Sequence, residues 1–267
     1  MRKLLPLLLA VTFCAFAGEI LLDATKADAW SNRVKPAEGD VLTAPSASHT
    51  ISVASFDVDP AKPVKLSGEF RFVGKMEKGP VNFCFGFRPL TAAGRVISPS
   101  TINYISKAFA LTETTAAAAK GDTKIILKDT STWKRLNKYA RLAFDAKPDY
   151  SDMPNFKLSN PIAKVTPQED GTYLVDFAKP LDFDVAAGTT VRVQCDSSTY
   201  IYTASTGNNK VTEEWKSYSG IIKGMQPGAV PKAWWMGTAK ANVVFFTHGA
   251  GHSGKLEFRN VKVETAD

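Results

Sequence analysis

Apolar and polar residues alternate along much of this chain. Leu66, Gly68, Phe70 and Phe72 fall on one side of the alternation and Ser67, Glu69 and Arg71 on the other. A period of two sends successive side chains to opposite faces of an extended chain, so it predicts a strand with one buried and one wet face. After the Gly79-Pro80 turn the pattern repeats. Val81, Phe83, Phe85 and Phe87 share one face, and Asn82, Cys84, Gly86 and Arg88 the other. Burying four such apolar groups contributes roughly 6–12 kcal/mol before chain entropy is subtracted. That face is therefore core.

Further strands follow from the same reading. Ile20-Leu21-Leu22, Trp30, Ile51, Val53 and Phe56 predict short strands, punctuated by Pro36, Gly39 and Pro45. Tyr200 and Tyr202 alternate with Ile201 and Thr203, and Val243–Phe246 is a buried strand. A glycine-rich turn at Gly249–Gly254 leads into the closing strand, Lys255–Glu264. Within it Leu256 and Phe258 are one residue out of phase with Val261 and Val263. A bulge at Arg259-Asn260 lets both pairs face the core.

The composition shifts near Leu111. Thr112–Ala119 is a Thr/Ala run that predicts a linker or a short turn, and short strands follow at 124–127, 139–144, 161–165, 172–177 and 188–193. A closing strand is buried only when earlier strands flank it. Residues 18–108 and 196–267 are therefore expected to form one discontinuous β-sandwich, with 109–195 inserted as a small β-domain. The fold class is all-β.

The first 17 residues carry an export pattern: Arg2 and Lys3, an apolar run from Leu4 to Phe16, and Ala15-Phe16-Ala17 before Gly18. Cleavage after Ala17 is preferred to lipidation of Cys14, because Phe13 is bulky where a lipoprotein signal takes a small residue. A secreted, periplasmic or cell-surface location is expected, with no membrane-spanning segment in the mature chain. The formal net charge is +7, of which Arg2 and Lys3 supply two. The excess is spread out, with no Lys/Arg block to read as a nucleic-acid stripe. Cys84 and Cys195 remain after cleavage and flank the insertion, so a disulfide is the preferred reading over two separate thiols.

Two resemblances refine this picture. Gly121-Asp122-Thr123-Lys124-Ile125-Ile126-Leu127, Trp133 and Ala187-Gly188-Thr189-Thr190-Val191 resemble a small β-barrel module of bacterial secreted and phage proteins. The outer part resembles the jelly-roll, galactose-binding-like carbohydrate-binding modules of bacterial secreted proteins. Val58-Asp59-Pro60, Leu66–Arg71, Trp215–Gly220 and Leu256–Val263 carry that likeness. It implies a jelly-roll sandwich and a glycan partner. Val64 stands where an aromatic is usual and Arg259-Asn260 where an acidic pair is common, which weakens a calcium site at the closing strand.

Catalytic chemistry finds little support. Glycan hydrolysis needs two carboxylates about 5–10 Å apart. Glu213 and Glu214 are adjacent and diverge on a strand, while Asp182 and Asp184 lie near a turn in the insert. The strand motifs of polysaccharide lyases are incomplete at Glu69-Phe70-Arg71. His248 and His252 sit in a run too rich in glycine for a helical metal pair. Asp57–Asp59 reads as a turn cap rather than a structural calcium site, and no cofactor is expected. Aromatic surface remains. Trp234 and Trp235 are adjacent, so one is expected to face outward and contact glycan. Trp30, Tyr104 and Tyr202 are the further candidates, whereas Trp215 and Trp133 are expected in the core. The expected function is non-catalytic glycan binding, the alternative a structural or interaction protein of the cell envelope.

Overall fold

The computed structural model describes residues 18–46, 48–103, 111–133, 136, 138–196 and 199–266. These residues are nearly all β, in antiparallel sheets apart from one short parallel pair. The first 17 residues, and with them the export pattern and Cys14, lie outside this set, as does Tyr104.

Among the described residues, two six-stranded sheets face each other. The first runs in the order Lys216–Ile222, Val64–Met76, His252–Thr265, Leu42–Pro45 and Lys35–Pro36, with Ile20–Asp23 also paired to His252–Thr265. The second runs Ile201–Ser205, Val81–Leu90, Lys240–His248 and Thr50–Ile51. Lys210–Val211 adds to Val81–Leu90, and Phe56–Asp57 to Lys240–His248. Each sheet therefore interleaves strands from the two ends of the chain.

The alternation seen in sequence becomes the interior. Phe70 of the first sheet lies 4.7 Å from Phe83, 4.8 Å from Phe85 and 5.1 Å from Phe245 of the second, measured between ring centres. Most of these contacts are edge-to-face or tilted, the arrangement the aromatic quadrupole favours. The bulge falls where the phase of the apolar residues requires it. The ladder between His252–Thr265 and Val64–Met76 slips between Arg259 and Lys262, and Asn260 has φ 55°. Leu256, Phe258, Val261 and Val263 are all fully buried as a result. Trp215 departs from expectation. It is only half-buried and sits between the Arg71 and Arg259 guanidiniums at 4.9 and 4.5 Å. Those two arginines pair with Glu257 and Glu69. Trp215 caps a charged outer face rather than filling the core.

Residues 118–193 hold a second apolar cluster, which includes Ile125, Leu127, Leu142, Phe144, Val175 and Val193. Two three-stranded sheets surround it. One orders Ala140–Phe144, Thr190–Cys195 and Thr112–Glu113, the other Ile162–Pro167, Tyr173–Phe177 and Lys124–Leu127. The Thr/Ala run is no linker, since Thr112–Glu113 pairs with Thr190–Val191 and Ala118 bridges Val185. The two clusters meet at Pro99–Asn103. There Asn155 N donates to Thr101 O at 2.8 Å and Cys195 N to Asn103 O at 3.0 Å.

One buried ion pair anchors this junction. Arg192 holds Asp152 with two bonds, of 2.6 and 3.2 Å, and the side chains are only 4 % and 7 % exposed. Burial opposes ionisation of Asp152. Hydrogen bonds from Arg192, Asn155 and the Lys147 amide outweigh it, so its pKa lies below the usual carboxylate value of 3.8. A depressed carboxylate stabilises the fold fully above that value and loses its contribution as pH falls through the lower folded one. Asp152→Asn strands the guanidinium and should cost about 3–5 kcal/mol in denaturant unfolding. It should also flatten the acid-side loss of stability. A cost under about 1 kcal/mol would mean that the pair is not a determinant of this junction.

Candidate functional site

The outer face of the second sheet carries the residues that alternate with the core phenylalanines. On Val81–Leu90 these are Asn82, Cys84, Gly86 and Arg88. On Lys240–His248 they are Asn242, Val244, Phe246 and His248. Tyr200 and Tyr202 join them from the neighbouring strand and the residue before it. Their position depends on Gly86. A Cβ there would collide with Ile201 O and sit 2.7 Å from Tyr202 Cα. The absence of a side chain at Gly86 lets the tyrosine strand cross close to the sheet.

A cavity of about 500 Å³ opens on this face, floored by Cys84, Phe246 and His248 and flanked by Tyr200 and Tyr202. The rings form a chain. His49 lies 4.4 Å from Phe246 and 5.3 Å from Tyr200, and Tyr202 lies 5.8 Å from Phe246 and 6.2 Å from Tyr200. Ala229, Val230 and Pro231 close the far wall. That wall is pinned from below, because Trp235 Nε1 donates to Val230 O at 3.1 Å and Gly228 N to Ile102 O at 3.0 Å. Among the described residues no carboxylate lines the cavity.

Burial sets the protonation of this site. It raises the Tyr200 hydroxyl above its usual range, although Arg88 nearby pulls the other way. It lowers His49, so the imidazole favours its neutral form. It pushes the Cys84 thiol up to about 11. A thiol held protonated in this way is a poor nucleophile, and Cys84 contributes shape and polarisability. Beside the cavity Arg88 gives two hydrogen bonds to Asn242 Oδ1, at 2.8 and 3.2 Å, while Asn242 Nδ2 donates to Ser52 O and Ala54 O. Buried Asn242 thus fixes the direction of a partly exposed cation.

The expected site residues divide. Tyr202 lines the cavity. Trp234 and Trp235 are both fully buried, so neither indole faces outward. Strand alternation would expose one of them. The chain from Gly224 folds back instead, pairs Met225–Gln226 alongside Trp234–Trp235, and covers both. Trp234 packs 5.0 Å from Phe87, and Trp235 supports the cavity wall. Trp30 is buried too, with its ring 5.2 Å from both Phe245 and Phe258 and its Nε1 bonded to Ala24 O. Cys84 and Cys195 are not bonded to each other. Cys84 lies mid-strand on the outer face, opposite Phe246, with Arg88 and Leu90 still to follow before the chain leaves the sheet. Cys195 ends the Thr190–Cys195 strand opposite Ala140 and takes a bond from Asn103 Nδ2. Flanking an insertion in sequence did not place the two at disulfide range.

Tyr200 and Phe246 are cavity residues that the sequence reading did not single out. For Tyr200 the signal was its alternation with Ile201 alongside Tyr202. Phe246 was hidden in the Val243–Phe246 run, which looks uniformly buried. Asp59 caps its turn by accepting the Ala61 amide at 3.0 Å. Comparison with family models, curated proteins and solved structures finds no match.

The thiol arrangement is open to a direct check. Reductant should leave the melting temperature unchanged. Cys84 should resist thiol reagents at neutral pH until the protein unfolds. A fall of several degrees on adding dithiothreitol would point instead to a bond that closes a long loop.

Proposed function

We propose that this chain is an exported, non-catalytic glycan-binding protein with a jelly-roll sandwich. Its ligand occupies the aromatic cavity on the outer face of the second sheet. The observation that carries this reading is the pairing of Tyr202 and Phe246, ring centres 5.8 Å apart, in a cavity of about 500 Å³ whose lining also carries the hydroxyls of Thr199, Tyr200 and Thr206. Sugars offer apolar C–H faces to flat rings and hydroxyls to polar neighbours. A concave site with an apolar floor and a few convergent polar groups suits such a ligand. The glycan-contacting role passes from Trp234, Trp235 and Trp30 to Tyr200, Tyr202 and Phe246. The N-terminal Arg2-Lys3 and the apolar run after it support export.

Affinity electrophoresis against a panel of soluble plant, fungal and bacterial polysaccharides tests the proposal. At least one should retard the wild-type protein. Tyr202→Ala, at a partly exposed position, should weaken that binding about 10- to 30-fold, the scale of losing a central aromatic anchor. The panel's failure to retard the protein, or retardation indifferent to both Tyr202→Ala and Phe246→Ala, would remove the site from consideration.

A further inference from the structure

The aromatic cavity has a neighbour of opposite character. A polar pocket of about 170 Å³ lies at the other side of His248, and the two share that residue. Lys78, Asn82, Lys210 and the Gly249–His252 turn line it. Among the described residues its lining holds no carboxylate, and neither Lys78 nor Lys210 takes part in an ion pair.

These cations are placed rather than scattered. Lys210 Nζ donates to Asn82 Oδ1, and Lys210 pairs with Asn82 across the two strands. The stem of Lys78 lies over Gly251, where a Cβ would come within 3.0 Å of it. Gly251 has φ 83° and Gly249 φ 111°, which glycine adopts without strain, so the turn passes close beneath the lysine. At the opposite end of the face Asn242 holds Arg88. The aromatic floor thus has Lys210, held by Asn82, towards one end and Arg88, held by Asn242, at the other.

Because His248 lines both compartments, a ligand that fills them needs a ring with an apolar face and a negative group close to it. We infer that the site selects acidic glycans. A sugar ring stacks on Tyr202 and Phe246, and a carboxylate or sulfate of the same chain enters the pocket of Lys78, Lys210 and His248. This inference rests on the glycan reading of the aromatic cavity and adds the charge of the ligand. Uncompensated cations on a concave surface concentrate anions there and lose that advantage as salt screens them.

The test compares binding of polygalacturonate and hyaluronan with the carboxyl-reduced form of each, and of chondroitin sulfate with its desulfated, carboxyl-reduced form, by calorimetry in low salt. At least one acidic polymer should bind about tenfold or more tightly than its reduced form. The double variant Lys78→Gln/Lys210→Gln should shrink that ratio to about twofold, as should raising salt to about 0.5 M. Two surface lysines tolerate glutamine, and an unchanged melting temperature confirms that the variant is folded. Equal binding of acidic and reduced polymers, still lost in Tyr202→Ala, overturns the charge selection and leaves the glycan site standing. Absence of binding by every polymer overturns both. A single-stranded DNA of matched charge that binds as tightly, indifferent to Tyr202→Ala, overturns both in favour of general anion capture.

Discussion

The antiparallel ladder between Val64–Met76 and His252–Thr265 is the interaction on which the other features depend. It joins residues near the two ends of the chain along the longest strands of the structure. Its inner face supplies Leu66, Phe70, Phe72, Leu256, Phe258, Val261 and Val263 to the core, all fully buried. The bulge at Asn260 preserves that delivery, because without it a one-residue slip would turn half of the closing strand outward. On the outer face the same ladder aligns Arg71 with Glu257 and Arg259 with Glu69. One register therefore satisfies both faces, which is what makes it specific.

The second sheet is positioned by the first. Phe70 and Phe258 meet Phe245, and Phe70 meets Phe83 and Phe85. Fixing those rings inward fixes Phe246 and Cys84 outward, because successive residues of a strand point to opposite faces. The aromatic cavity is the reverse side of the core pattern. Its wall depends on the core as well, through the bond from Trp235 to Val230. A buried indole here shapes a cavity wall that it does not itself line.

Much of this was legible in the alternation of residues 66–72 and 81–88, because a half-buried strand imposes a period of two that its sequence cannot hide. The bulge was legible for the same reason. The site was less so. Trp234 and Trp235 obey alternation locally, but the Gly224–Pro231 segment covers the face that alternation would have exposed, and such coverage is a tertiary event. The cysteines misled because closeness to an insertion's ends in sequence says nothing of where a strand's midpoint lies in space. Tyr202 was found because it sits on a strand whose outer face is left partly open. Tyr200 and Phe246 needed the packing of neighbouring strands to be seen as one surface. Trp215 looked like core by type, yet two arginines made a charged face hospitable to it.

Native-state hydrogen exchange tests the joining of the two chain ends most directly. The amides of residues 66–72 and those of residues 256–263 should exchange with one common free energy, equal to that of global unfolding, since neither strand buries its apolar face without the other. Exchange of one segment at a free energy well below the other's would contradict the account, because it would show that the head and tail of the chain are held in separate cooperative units.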